Sequence, residues 1–157
     1  MTDGVASRVA LQAWHFVRQA GHNPPEELAS VLLGAVAEVP VKGSHDVLAA
    51  YRDGTARYLN HTGGAVIWED RDPVIQAAID DWLAYAQGLA RALGAAWTEP
   101  SLPPLPPGHL RVLMLTPSGP RFGQGPEADI GKEPAVSRFL SPATALMQLL
   151  TSRHMDS

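Results

Sequence analysis

Two glycine-bearing reversals, Asp53-Gly54 and Thr62-Gly63, divide the stretch from Asp46 to Glu69 into runs with a period of two. Asp-Gly readily takes the positive φ that both central positions of a type I′ turn require. With that turn between Arg52 and Thr55, Tyr51 pairs with Ala56, Ala49 with Tyr58 and Leu48 with Leu59. A reversal at Thr62-Gly63 then sets Tyr58 opposite Ile67, Leu59 opposite Val66 and Arg57 opposite Trp68. The stretch reads as a three-stranded antiparallel meander. Alternation puts Val47, Ala49, Tyr51, Ala56, Tyr58, Ala65 and Ile67 on a core face, with Leu48, Ala50, Arg52, Thr55, Arg57, Leu59, Val66 and Trp68 on the other.

Outside this stretch the apolar spacing is helical. Ala6, Val9, Ala10, Ala13, Phe16, Val17 and Ala20 predict a helix from Val5 to Ala20, stopped by Gly21. Asn23 as cap, Pro24 and Pro25 in the first turn and Glu26 behind them open a second helix to about Glu38, with Leu28, Val31, Leu32, Ala35 and Val36 on one face. Asp72 and Pro73 open a long helix that buries Ile75, Ile79, Trp82, Leu83, Ala86, Leu89 and Leu93 and stops at Gly94. Residues 95–108 hold five prolines, cannot enter a sheet interior and read as an extended surface connector. "HLRVLMLTPSGPRFGQG" reads as a strand, a Pro117-Ser118 turn and a glycine-interrupted strand, before a final helix starting at Ser141-Pro142 with Leu146, Leu149 and Leu150 inward. These elements describe one α+β domain over residues 1–157. Its sheet is five-stranded and mainly antiparallel, a three-strand meander, a helix and a two-strand hairpin, with two N-terminal helices and a C-terminal helix packed on it.

Composition removes several classes of function. The net charge is -4 and the 12 Lys and Arg are scattered, which leaves no footprint for nucleic acid or an anionic membrane. With no cysteine, thiol nucleophiles, disulfides and thiolate metal sites are excluded. The N-terminal stretch carries Asp3, Arg8 and Arg18 without a long apolar run, so a soluble, cytoplasmic protein is expected. His15, His22, His45, His61, His109 and His154 show no metal-ligand spacing, and no metal or cofactor is assigned. "GPEADIGK" fails as a phosphate loop: five residues separate Gly125 from Gly131 and Glu133 stands where a hydroxyl is needed. Asp80 and Asp81 diverge on their helix, and "LPPLPPG" serves as a spacer.

What remains points to contacts. Leu48, Arg57, Leu59, Val66 and Trp68 form a mixed apolar and cationic sheet face, with Arg57 stacking on Trp68, and read as the interface of a non-catalytic protein-binding or scaffold module acting as a homodimer. The alternative is a small-molecule sensor with a pocket lined by Tyr51, Tyr58, Trp82 and Phe122. Asn60, His61, Ser118, Gly119, Arg121 and Gly123, on the two glycine-rich hairpins, form a candidate ligand or anion site. A third reading, an enzyme, would use Asn60, His61, Ser118 and Arg121 if those hairpins met.

Overall fold

The computed structural model describes residues 6–93 and 95–155. Among them are six strands, β1 (Gly34–Val41), β2 (Ser44–Tyr51), β3 (Ala56–Leu59), β4 (Ala65–Trp68), β5 (His109–Thr116) and β6 (Gly119–Pro126). They form an antiparallel sheet in the order β4-β3-β2-β1-β5-β6. Five helices accompany it: α1 (Ser7–Gln19), α2 (Glu26–Ala29), α3 (Pro73–Ala92), α4 (Glu127–Ile130) and α5 (Pro134–Met155). The α+β class and the antiparallel sheet agree with expectation; the sixth strand and the helix count do not.

The extra strand is β1, which takes over the C-terminal part of the predicted second helix. Its apolar residues satisfy both periods, but Ala35, Ala37 and Val39 alternate inward and the strand gains hydrogen-bonded neighbours on both sides, β2 and β5. Gly34 permits this close packing, since a Cβ there would stand 2.9 Å from the Tyr51 ring and 3.1 Å from the Ala50 carbonyl. Only the single turn of α2 survives from the predicted helix.

The register of β2, β3 and β4 also differs from expectation by one residue. The loop after β2 holds three residues, Arg52, Asp53 and Gly54, closed by hydrogen bonds from Tyr51 N–H to Thr55 O at 2.9 Å and from Gly54 N–H to Tyr51 O at 3.0 Å. Only Gly54 takes positive φ, at 89°, and Asp53 turns its carboxylate to the Thr55 N–H and hydroxyl instead. This is the three-residue hairpin with a left-handed glycine, one residue longer than a type I′ turn. Ala50 therefore faces Ala56, and Leu48 faces Tyr58. The next loop repeats the device. Gly63 has φ 94°, Asn60 N–H donates to Gly64 O, and the Asn60 carbonyl oxygen Oδ1 gathers the N–H groups of Thr62 and Gly64, so that Tyr58 faces Val66 and Ala56 faces Trp68. A one-residue slip exchanges the two faces of a strand. The core face thus carries Leu48 and Ala50 of β2 and Val66 and Trp68 of β4, while β3 contributes the expected Ala56 and Tyr58.

Over that face lie α3 and α5. Small strand residues, Ala35, Ala37, Ala50 and Ala56, let bulky helix side chains approach, and Trp82 of α3 meets Phe139 of α5 edge to face at 5.4 Å. Helix α3 starts as expected: Pro73 sits in its first turn and Asp72 accepts the Val74 N–H at 2.8 Å and also the Arg153 Nε at 2.8 Å. Its predicted stop, Gly94, lies outside the described residues, as does Val5. Helix α5 begins at Pro134, ahead of the predicted Ser141, and carries Pro142 internally. Two prolines compete for the first-turn position, and Pro134 takes it.

The opposite face is covered in parts. Leu11 and Arg18 of α1 border a groove with Leu115 and Pro120 at one end, and the Arg18 guanidinium donates to the Pro117 carbonyl. The proline-rich crossover runs over β5 and β6. Trp97 packs on Phe122 at 5.5 Å, and Gln124 reaches the Pro104 carbonyl at 3.1 Å. Arg111, only 7% exposed, pairs with Glu38 and donates to the Pro103 carbonyl at 2.7 Å and to Gln124 Oε1 at 3.0 Å. On β3 and β4 the face keeps exposed apolar residues, Leu59 at 42% and Ile67 at 48%, on either side of Arg57.

Candidate functional site

Between the sheet and α5 lies a cleft of about 120 Å³, walled by Ala37, Val39, Leu48, Leu140, Ala143 and Met147. It exists because alanines on both walls, Ala37 and Ala143, leave room where larger side chains would interdigitate. Asp46, Tyr58 and Thr144 bring its polar atoms.

Asp46 is the centre of that polar end. It stands opposite Val39 on β2, next to the apolar wall. Its Oδ1 accepts the His61 backbone N–H at 2.7 Å and contacts His61 Nδ1 at 2.9 Å, while Oδ2 accepts the Tyr58 hydroxyl at 3.0 Å. Burial pushes the Asp46 carboxyl up, but the bonds from His61 and Tyr58 together outweigh it and hold the group below its ordinary value. Burial, and then the bond to Asp46, raise the Tyr58 phenol. For Nδ1 to donate to the carboxylate it must carry a proton, so in the neutral tautomer that makes this bond Nε2 is the acceptor. The result is an oriented imidazole beside an ionised carboxylate. Among the described residues no hydroxyl is hydrogen-bonded to Nε2, so the arrangement supplies a base without an attached nucleophile.

The residues expected to form the interface are divided. Leu48, Val66 and Trp68 pack with the helices, whereas Arg57 and Leu59 point to the opposite side. Arg57 and Trp68 therefore cannot stack. The two glycine-rich hairpins also stay apart: the Asn60 to Gly64 loop and the Ser118 turn lie at opposite ends of the sheet and on different halves of it. Asn60 is occupied by its own turn. Ser118 Oγ lies 2.9 Å from Thr116 Oγ1, and its N–H donates to the Ala29 carbonyl. Arg121 donates to the Ala90 carbonyl at 2.9 Å, placing a cation at the C-terminal end of α3. Gly119 lies beneath the Trp97 carbonyl, and Gly123 lies under Ile130 of α4. Of the aromatic set proposed for a pocket, Tyr58 lines the cleft; Trp82 is buried in the core, and Tyr51 and Phe122 belong to the other sheet face.

Asp46 was the residue that sequence reasoning missed. The signal was a charged side chain at an inward position of an otherwise apolar strand, and the shifted register had turned it outward. No family model, curated protein or solved structure matches the chain. Among the described residues no helix is long and apolar enough to cross a membrane, and no three His, Asp or Glu side chains gather as a metal site.

Proposed function

We propose that the protein is a non-catalytic protein-binding module that works as a homodimer through the β3–β4 margin of its sheet. The observation that carries this is the character of β4. It is the terminal strand, hydrogen-bonded on one side, and its four residues Ala65, Val66, Ile67 and Trp68 include no charge, proline or glycine. Natural edge strands are usually blunted by such residues, and a bare one is a template for another strand. A second copy is the fitting occupant. A strand that pairs antiparallel with its own duplicate makes a two-fold interface from one patch, and it would bring the exposed Ile67 and Leu59 of both copies together.

Light scattering of the intact chain tests this. The expected species is a dimer that the double change Leu59→Glu and Ile67→Glu converts to a monomer with an unaltered circular dichroism spectrum. A parent chain that scatters as a monomer at every concentration tried would overturn the reading.

A second reading, a small-molecule sensor, is favoured by a separate observation: the cleft beside Asp46 is apolar along its walls and polar at one end, the usual make-up of a ligand site.

A further inference from the structure

We infer that the cleft between β1–β3 and α5 takes a short apolar group that carries a primary ammonium, with the ammonium seated on Asp46 and Tyr58. This rests on the sensor reading and names its ligand class. The volume sets the size. At about 120 Å³ the cleft is a little smaller than an engineered apolar cavity of about 150 Å³ that binds benzene, so one ring or a chain of about five carbons fills it. The walls set the polarity, because Val39, Leu48, Leu140 and Met147 offer no hydrogen bond to a polar body.

The polar end decides the rest by counting donors. Asp46 Oδ1 has both lone pairs engaged by His61, and Oδ2 has one engaged by Tyr58 and one remaining. The Tyr58 proton is spent on Asp46, which leaves that oxygen only as an acceptor. The Thr144 hydroxyl donates to the Leu140 carbonyl at 3.0 Å and is likewise left as an acceptor. Every hydroxyl or carboxylate lining the cleft thus asks for a donor, and one of them is an anion. An ammonium brings three donors and the opposite charge. A carboxylate or phosphate brings acceptors and a like charge, and it meets the Asp46 carboxylate with no lysine or arginine among the residues that line the cleft.

Pentylamine, pentanol and pentanoate, matched in chain length, separate the elements of the inference when each is titrated into the intact protein and followed by amide chemical shifts. Pentylamine is expected to saturate, moving the amides of Ala37, Leu48, Ala143 and Met147, and to bind about tenfold tighter than pentanol, the worth of a charge-assisted hydrogen bond. Pentanoate should not saturate. Asp46→Asn should bring pentylamine and pentanol to similar affinity, and Ala143→Leu should abolish both by filling the cleft. If that variant fails to fold, Thr144→Phe at the exposed rim closes the entrance instead. Pentanol or pentanoate binding as tightly as pentylamine would overturn the ammonium assignment and leave the ligand site standing. Failure of all three to saturate would overturn the assignment and the sensor reading together.

Discussion

Ser7 and Asp53 bond each other in both directions: the Asp53 carboxylate accepts the Ser7 N–H at 3.0 Å, and the Ser7 hydroxyl accepts the Asp53 N–H at 3.1 Å. The residue that should cap α1, Ala6, has no side chain able to do so, and the β2–β3 loop supplies the missing acceptor. Ser7 is fully buried by this arrangement. Asp53→Ala should cost about 1–2 kcal/mol, the usual worth of a helix cap. Hydrogen exchange should show α1 losing protection before the sheet does. Equal loss in both would mean that α1 is held by other contacts.

Acid should weaken the protein through the same group and through Asp46. Burial raises each carboxyl, but hydrogen bonds from Thr55 and Ser7 to Asp53, and from His61 and Tyr58 to Asp46, more than reverse this and leave both below the ordinary range. A depressed folded value means that the unfolded chain takes up the proton first. The stabilisation is therefore complete above the unfolded value of about 3.9 and is lost as the pH falls through the folded values. Urea midpoints measured from neutral pH downward should stay level and then drop below about pH 4. Asp53→Asn should shallow that drop, and an unchanged slope would contradict the assignment.

Arg111 fastens the proline-rich crossover to the sheet by joining Glu38, Gln124 and the Pro103 carbonyl on one nearly buried guanidinium. Arg111→Ala leaves Glu38 half-buried without its cation and should cost about 3 kcal/mol. Replacing both Glu38 and Arg111 by leucine should recover most of that loss, because an apolar pair strands no charge. A double variant as unstable as the single one would show that the Pro103 bond, and not the ion pair, carries the effect.

Gly119 has φ 119°, and a Cβ there would stand 2.7 Å from the Trp97 carbonyl oxygen. Gly43 has φ 80° with nothing within 4 Å of the same position. Gly119→Ala adds a backbone clash to the left-handed penalty that Gly43→Ala bears alone. It should cost more than the roughly 1 kcal/mol expected at Gly43. Shifted tryptophan emission should accompany the first change and not the second.

Features with a local cause were readable from the chain. Asp72 and Pro73 mark the start of α3 because the cap and the fixed φ act within one turn, and the prolines of residues 95–108 bar that segment from the sheet whatever surrounds it. Register was not readable, since Asp53 and Asn60 each use a side-chain oxygen to build a loop one residue longer than the dipeptides imply. That choice rests on hydrogen bonds to Thr55, Ser7 and Gly64, some of them remote in the chain. Strand β1 was hidden because its apolar residues suit a helix until β2 and β5 stand on either side. The Asp46 cluster inherits both difficulties: its inward position follows from the pairing, and its partners come from the loop that the pairing creates.

The two margins of the sheet are unlike. Within β6, Pro120 and Pro126 have no N–H to offer, and Ile130 leans over Gly123 and Gly125; β4 carries none of these obstacles. Proline and the α4 cover thus oppose strand addition at β6, and neither is present at β4. In the proposed homodimer, two molecules joined along β4 would present only their β6 borders, and a filament would have no end from which to extend.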